Sequence, residues 1–172
     1  LLVCIERLTQ LPEEAAQGAI RHEAAHSVLH GHPRYYMFRI AQDCRAQANQ
    51  LGMEMPLLQQ LLFLVSVAVK DFEASRLLAS RGYTDCQVAL ARWQFSVTDE
   101  DREAWAMARH HRLARLVYFA AQLKPLLFIQ PLLPYLERET QQMSEPLLSL
   151  MGETGVGLVG LTKAICVRLA DD

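Results

Sequence analysis

Apolar and polar positions divide the chain into helix-length segments separated by short breaks. Proline or acidic residues open several of these segments, as in the first turn of a helix, and glycine follows several of them, as at a helix end. The sequence therefore predicts helices over residues 12–30, 41–51, 56–81, 84–94 and 98–123, a short helix from Ser144, and a last helix that follows the Gly-rich segment 151–160 and ends at Leu169.

Local signals refine some of these boundaries. Thr84–Gln87 has the spacing of a capping box, and Thr98–Asp101 places a Thr before acidic residues, so each is predicted to begin a helix. Gly82 is predicted to end the longest helix in the left-handed conformation. Three prolines between residues 125 and 134 are predicted to break up the apolar stretch there.

Only residues 33–40 are rich in β-forming side chains, and they predict a short strand beside the first helix. Leu is far above its usual share, while proline and glycine are few, which favours helices over a sandwich or barrel. We expect a mainly α protein: a single domain over residues 1–172 with at most a short β-strand or hairpin. A division near residue 96 would separate residues 1–95 from a helical C-terminal half, 96–172.

Two apolar runs raise the question of membrane attachment. Residues 116–136 are about as long as a membrane span, but polar residues, Lys124 among them, and three prolines interrupt them. Residues 57–69 are apolar but too short. Core helices of a small bundle explain both runs better, so contact with a membrane surface is an alternative that we do not favour.

Composition and charge exclude several classes of protein. Seventeen basic and 19 acidic residues give a net charge of −2 without a basic run, which argues against a nucleic-acid partner. The 51% hydrophobic content excludes a disordered chain. Residues 1–5 are too short for a signal peptide. Reduced, buried cysteines in a cytoplasmic protein are expected, because no Cys-x-x-Cys pair occurs among Cys4, Cys44, Cys86 and Cys166.

The sequence His22-Glu23-Ala24-Ala25-His26 on the first predicted helix is the clearest chemical signal. His22 and His26 lie one turn apart, so both imidazoles point from the same helix face and can bind one Zn²⁺ ion. Glu23 lies at the edge of that face, where it can take a proton from a water that the metal activates. Small and apolar residues flank the motif, as a buried site requires.

A catalytic zinc site needs a third protein ligand, and the longest predicted helix offers two carboxylates, Asp71 and Glu73. At 100° per residue, Leu64 and Leu78 fall within about 20° of Asp71, which places this carboxylate in the middle of the apolar face. An unpaired charge there is costly, so Asp71 is the preferred ligand. Glu73 falls about 160° away on the polar face, within reach of Arg76. It is the alternative ligand if that face lines a cleft.

Other residues carry weaker predictions. Ser75 follows Asp71 by one turn and is predicted to hydrogen-bond a ligand histidine. Surface positions are expected for the other four histidines: His30, His32, His110 and His111. Of these, His30 and His32 are also alternative metal ligands. Three tyrosines could each supply a hydroxyl that stabilises a tetrahedral oxyanion: Tyr35, Tyr36 and Tyr83.

Residues 18–29, GAIRHEAAHSVL, resemble the zinc helix of zincin-type metallopeptidases, and most closely that of the FtsH-type membrane proteases, which reads HEAGHAL. In that family the third ligand is an Asp on a later helix, followed by an apolar residue and by a Gly near the helix end. Asp71-Phe72 and Gly82 have this arrangement. The resemblance covers about residues 13–85, and it implies His22, His26 and Asp71 as metal ligands and Glu23 as general base.

Two other peptidase groups offer comparisons. In M48-type zincins the third ligand is the Glu of an E-x-x-A-D sequence, and residues 71–75, DFEAS, are similar with Asp in the place of Glu and Ser in the place of Asp. Residues 47–49 and 53–56 are similar to ImmA/IrrE-type peptidases, but the position of their ligand Glu holds Arg45, which cannot bind zinc. Residues after about 90 resemble no such group.

These residues together predict a zinc-dependent metallopeptidase with Zn²⁺ as its cofactor. Glu23 would assist the attack of water on a peptide carbonyl and then protonate the leaving amine. The expected partner is a peptide or protein substrate, and the oligomeric state is left open. The alternative is a non-catalytic helical domain, derived from a zincin, that binds metal for folding or serves protein interaction or regulation. A membrane-surface or assembly role for residues 116–136 is the weakest hypothesis.

Overall fold

A computed structural model describes residues 5–37, 39–136 and 142–170 of the chain. These residues are mainly helical, which confirms the predicted fold class. The α-helices are α1 Ile5–Leu8, α2 Glu13–His30, α3 Gln42–Gln50, α4 Met55–Ser80, α5 Thr84–Gln94, α6 Asp99–Ala108, α7 Arg112–Ile129, α8 Glu145–Met151 and α9 Glu153–Ala170. The 3-10 helices are Pro33–Tyr36 and Gln130–Tyr135.

Several predicted helix ends are confirmed. Helices α2 to α5 begin and end within one residue of the predicted positions. Gly82 follows α4 with a φ of 80°, the left-handed conformation expected of it. Helix α6 begins with a capping box, in which the Thr98 hydroxyl accepts from the Asp101 N–H and the Asp101 carboxylate accepts from the Thr98 N–H.

The capping box predicted at Thr84–Gln87 is wrong. Tyr83 is the N-cap of α5, and no side chain caps this helix. The Gln87 side chain is used elsewhere: it is fully buried and donates to the carbonyl of Gly18 on α2 at 2.9 Å. A contact between two helices therefore outweighs the local signal.

The short strand predicted over residues 33–40 is wrong as well. Pro33 opens a 3-10 helix instead, and the His32 imidazole closes its first turn by accepting from the Arg34 N–H at 3.1 Å. The described residues contain no strand with which this segment could pair, and an unpaired strand leaves its backbone groups without partners. Phe38 lies outside the described residues.

The helix predicted over 98–123 is two helices, α6 and α7. His111 separates them, because its extended backbone and its ring, which accepts from the Ala114 N–H, start a new helix. The break predicted at Pro125 does not occur, since α7 continues to Ile129 and packing of the buried residues 126–129 outweighs the cost of the proline. Pro131 and Pro134 lie in the second 3-10 helix, where the α-helix has ended, so the break predicted at these two prolines is confirmed.

The last helix begins earlier than predicted, at Glu153 rather than after Gly160. The Gly-rich segment is helical because α9 starts close against α8. A Cβ at Gly155 would lie 2.6 Å from the Leu148 carbonyl oxygen, so only glycine fits at this contact. Packing thus decides the conformation of a segment whose composition favours a loop.

Helices α4 and α7 form the centre of the molecule and run in the same direction. Leu113, near the start of α7, belongs to the same apolar cluster as Leu58, near the start of α4. Lys124, late in α7, pairs with Asp71, late in α4. Helix α2 packs across α4 and α5, so the helix that carries the two predicted metal ligands lies directly over Asp71.

Two segments of the described chain are long and apolar enough to cross a membrane by length and composition alone. They are Met55–Ser80 and Arg112–Tyr135, with mean hydropathies of 1.3 and 1.4. Only 22% of the first window is buried, whereas 44% of the second is. Core helices can have the same length and composition, so the expectation that membrane contact is not favoured stays a prediction.

Three of the four cysteines lie in the described residues, and their thiols are free: Cys44, Cys86 and Cys166. Cys86 is buried as expected, but Cys44 and Cys166 are only half-buried. Burial raises the pKa of the Cys166 thiol. Cys4 lies outside the described residues.

Candidate metal centre

Three histidines on one face of α2 point toward α4. His22, His26 and His30 are spaced by four residues, so their rings lie on successive turns of nearly the same side of the helix. His22 and His30 are buried, and His26 is half-buried. Small side chains allow the close packing of α2 on α4, since Ala25 lies in an apolar cluster with Ala74.

The site brings three donor atoms from these two helices together. The Nε2 atom of His22 lies 3.1 Å from Nε2 of His26 and 3.6 Å from Oδ1 of Asp71, and Nε2 of His26 lies 3.2 Å from the same oxygen. A tetrahedral zinc ion with bonds of about 2.0–2.1 Å holds its donors about 3.3 Å apart. The observed distances lie on both sides of this value, so the three donors could hold a single metal ion.

Asp71 occupies the buried side of α4, as helix phase predicted, and it is 3% exposed. Burial alone would raise its pKa. The imidazoles of His22 and His26 beside Oδ1, together with the charge of Lys124 at 3.5 Å from Oδ2, outweigh burial and hold the pKa of Asp71 well below its ordinary value. Asp71 is therefore ionised, which is the state in which a carboxylate binds a metal.

Two neutral imidazoles cannot satisfy every contact in the row of side chains between Asp71 and Glu73. His26 contacts Asp71 through Nε2 and His30 through Nδ1 at 3.2 Å, and His30 contacts Glu73 through Nε2 at 2.7 Å. These three contacts need three ring protons, whereas two neutral rings carry two. A metal cation at Nε2 of His26 would replace the third proton and leave one for each remaining contact. The chemistry of the donor set thus fits a metal ion.

Glu73, the alternative ligand, is not among the three converging donors. Its predicted pairing with Arg76 is also wrong: the Glu73 carboxylate accepts from Nε2 of His30, while Arg76 donates to the Leu169 carbonyl at 3.0 Å. The surface position predicted for His30 is wrong too, because Tyr35 of the first 3-10 helix packs on the His30 ring, with ring centroids 5.3 Å apart, and leaves it 2% exposed.

Glu23 and Ser75 take different positions beside the cluster. Glu23 is exposed on α2, next to His22, where a solvent-borne substrate can reach it. Ser75 is fully buried, but its hydroxyl has no hydrogen-bond partner among the described residues, and neither has Nδ1 of His22. The predicted hydrogen bond from Ser75 to a ligand histidine is therefore not formed.

The other residues singled out from the sequence lie outside the donor set. The ring of Tyr36 faces the Lys70 ammonium at 4.0 Å and that of Tyr83 faces the Arg21 guanidinium at 4.8 Å, so each tyrosine contacts a cation. As predicted, the remaining histidines are exposed: His32, His110 and His111.

Sequence reasoning missed two residues of α7 at the site. Lys124 pairs with Asp71, and the fully buried Phe128 packs on His22 with ring centroids 4.9 Å apart. Phe128 gives no signal beyond that of an ordinary core residue. Lys124 gives little more, because its side chain is 48% exposed and water can solvate its charge without a partner.

No protein-family model, curated protein or solved structure matches the chain. The resemblance to zincin-type peptidases therefore depends on the motif residues alone.

Proposed function

We propose that this protein is a zinc-dependent peptidase. The observation that carries the proposal is the convergence of the donor atoms of His22, His26 and Asp71 at the mutual spacing of a tetrahedral zinc site. Glu23 lies on the same helix, one residue after the first ligand, which is the position of the general base in the HExxH motif.

A zinc ion held by these residues would supply a Lewis acid that activates water and polarises a peptide carbonyl. Glu23 accepts a proton from the attacking water while the water oxygen bonds to the carbonyl carbon. The Glu23 carboxyl then delivers this proton to the amine as the carbon–nitrogen bond breaks. The imidazoles of His22 and His26 and the charge of Lys124 all lower the pKa of Asp71 and favour the ionised carboxylate, the form that binds a metal.

Metal content and cleavage of a peptide library by the zinc-loaded chain test this proposal. We expect about one zinc ion per chain, lost in His22→Ala. Glu23→Gln should keep the zinc and lose roughly 10²–10⁴-fold in cleavage rate, the usual contribution of a general base. The control Glu14→Gln makes the same charge change at an exposed position of α2 and should cleave at the wild-type rate. Wild-type cleavage by Glu23→Gln would refute the mechanism.

The ion pair of Lys124 supports a second candidate function. Without a metal, Lys124 still pairs with the buried Asp71 carboxylate, so the same residues also form an ion pair that a structural role would explain. The chain would then be a non-catalytic helical domain that binds metal for folding or mediates protein interactions. In that case no peptide is cleaved above background, and Glu23→Gln changes neither folding nor zinc content.

A further inference from the structure

A row of hydrogen-bonded side chains leads from His26 to the outer side of α4. Nδ1 of His26 lies 3.2 Å from Nδ1 of His30, and Nε2 of His30 lies 2.7 Å from Oε2 of Glu73. His30 is enclosed between His26 and Tyr35 and is 2% exposed, whereas the Glu73 side chain is 36% exposed. The row therefore joins the interior of the site to a carboxylate at the surface.

The geometry excludes His30 as a ligand of the same ion. Its Nδ1 atom faces the nitrogen of His26 that points away from the three converging donors, and its Nε2 atom contacts Glu73. A buried histidine in this position has a partner at each ring nitrogen, and both partners constrain where its proton lies.

We propose that His30 and Glu73 are positioning residues that set the tautomer of His26 and thereby raise the affinity of the site for zinc. This inference rests on the zinc site proposed above. A carboxylate only accepts, so Nε2 of His30 carries a proton and Nδ1 of a neutral His30 is an acceptor. That acceptor holds the proton of His26 on Nδ1, which leaves the lone pair of its Nε2 atom directed at the other donors.

The proposal extends a general property of metal sites. A ligand histidine is commonly oriented by a carboxylate or carbonyl at its other ring nitrogen, and removal of that partner usually costs 10–100-fold in metal affinity. Here a second imidazole lies between the ligand and the carboxylate, so the influence of Glu73 reaches His26 through two hydrogen bonds.

Zinc affinity of the full chain, measured by competition with a chromophoric chelator, tests the proposal. Glu73→Leu removes the acceptor and should weaken zinc binding about 10–100-fold. Glu73→Gln keeps a carbonyl acceptor without the charge and should lose less. Glu14→Gln, an exposed carboxylate on α2, is the control for net charge and should bind zinc as the wild type does.

Two further measurements separate positioning from packing. Thermal unfolding of the metal-free variants should show that both fold, with a lower Tm for Glu73→Leu than for Glu73→Gln, because leucine leaves Nε2–H of the buried His30 without an acceptor. In the zinc-loaded wild type, the nitrogen chemical shifts of the His26 ring should show a proton on Nδ1, and this proton should exchange with solvent faster in Glu73→Leu. A role in packing alone would leave the proton exchange and the affinity unchanged.

The outcomes distinguish failure of this inference from failure of the proposed function. Equal zinc affinity in folded Glu73→Leu and in the wild type would overturn the role of His30 and Glu73 and leave the zinc site intact. A wild-type chain that binds no zinc would overturn both. His30→Phe, which keeps a ring without nitrogen atoms, should match Glu73→Leu if it folds. The Glu73 pair decides the question if it does not.

Discussion

Gly18 lies where α2 meets α5, one turn before His22, and Gly18→Ala should destabilise the protein. The Gly18 carbonyl accepts a hydrogen bond from the buried Gln87 side chain at 2.9 Å, so the contact is fixed on both sides. A Cβ at this position would lie 2.2 Å from the Cys86 carbonyl oxygen and 3.1 Å from Cβ of Leu90. The first neighbour is backbone, which cannot move aside without moving α5.

The size of the effect follows from these distances. Close contacts between carbon and carbonyl oxygen in proteins are about 3.3 Å, so α2 and α5 must separate by about 1 Å to admit the methyl group. Forced shifts of this kind typically cost about 1–3 kcal/mol, and the backbone neighbour places Gly18→Ala at the upper end. Alanine regains up to about 1 kcal/mol in helix propensity. We expect a net loss of about 2 kcal/mol.

Thermal and urea unfolding of the metal-free protein provide the measurement. A loss of about 2 kcal/mol lowers the Tm of a chain of this length by roughly 4–8 °C. Gly160→Ala is the matched control, because Gly160 is exposed inside α9 and its Cβ would meet no atom within 4 Å. It should be unchanged or stabilised by up to about 1 kcal/mol. Equal responses of the two variants would refute the close approach of α2 and α5.

Two further substitutions test a buried hydroxyl and a helix cap. Tyr118 is 8% exposed and its hydroxyl has no partner among the described residues, so Tyr118→Phe should raise the free energy of unfolding by about 1 kcal/mol. Burial, aided by the charge of Asp101, raises the pKa of Tyr118. The wild type should therefore lose stability as the pH rises above about 10, and Tyr118→Phe should lose less. Urea unfolding between about pH 7 and 11 measures this difference. Thr98→Ala should cost about 1 kcal/mol by removing the capping box of α6, whereas Thr84→Ala, at a helix without a side-chain cap, should cost clearly less in urea unfolding. Equal costs would contradict the assignment of the cap.

The helices were predictable wherever their ends depend on local signals. Gly82 can end α4 by itself because glycine adopts a positive φ without strain, and Thr98 caps α6 with an acidic residue three positions on. The errors occur where distant packing decides. Pro125 stays inside α7 because the residues after it are buried against the core. The Gln87 side chain does not cap α5, because it donates to the Gly18 carbonyl on α2.

The candidate site was predictable to the extent that each residue's position depends on the phase of one helix. In the structure His22 and His26 lie on one face of α2, and Asp71 lies on the buried face of α4, as the sequence predicts. A helix fixes the relative directions of its own side chains, so these positions were predictable. The environment of His30 was not predictable. Its burial depends on Tyr35, which lies in a segment for which the sequence predicts a strand and the structure shows a 3-10 helix.

The pairing of Asp71 with Lys124 depends partly on the phase of one helix and partly on the packing of two helices. Asp71 interrupts an apolar helix face, where an uncompensated charge is costly, so the sequence predicts a cationic partner for it. The Lys124 side chain is 48% exposed, so its own charge does not require a partner. The carboxylate that faces Lys124 is determined by the register between α4 and α7. This register cannot be derived from the phase of either helix alone. The apolar cluster that joins Leu58 to Leu113 sets this register, since it aligns the starts of two helices that run in the same direction. With that alignment, Lys124 comes within 3.5 Å of Asp71, and the charge that balances Asp71 comes from residues 96–172, where the sequence predicts no site residue.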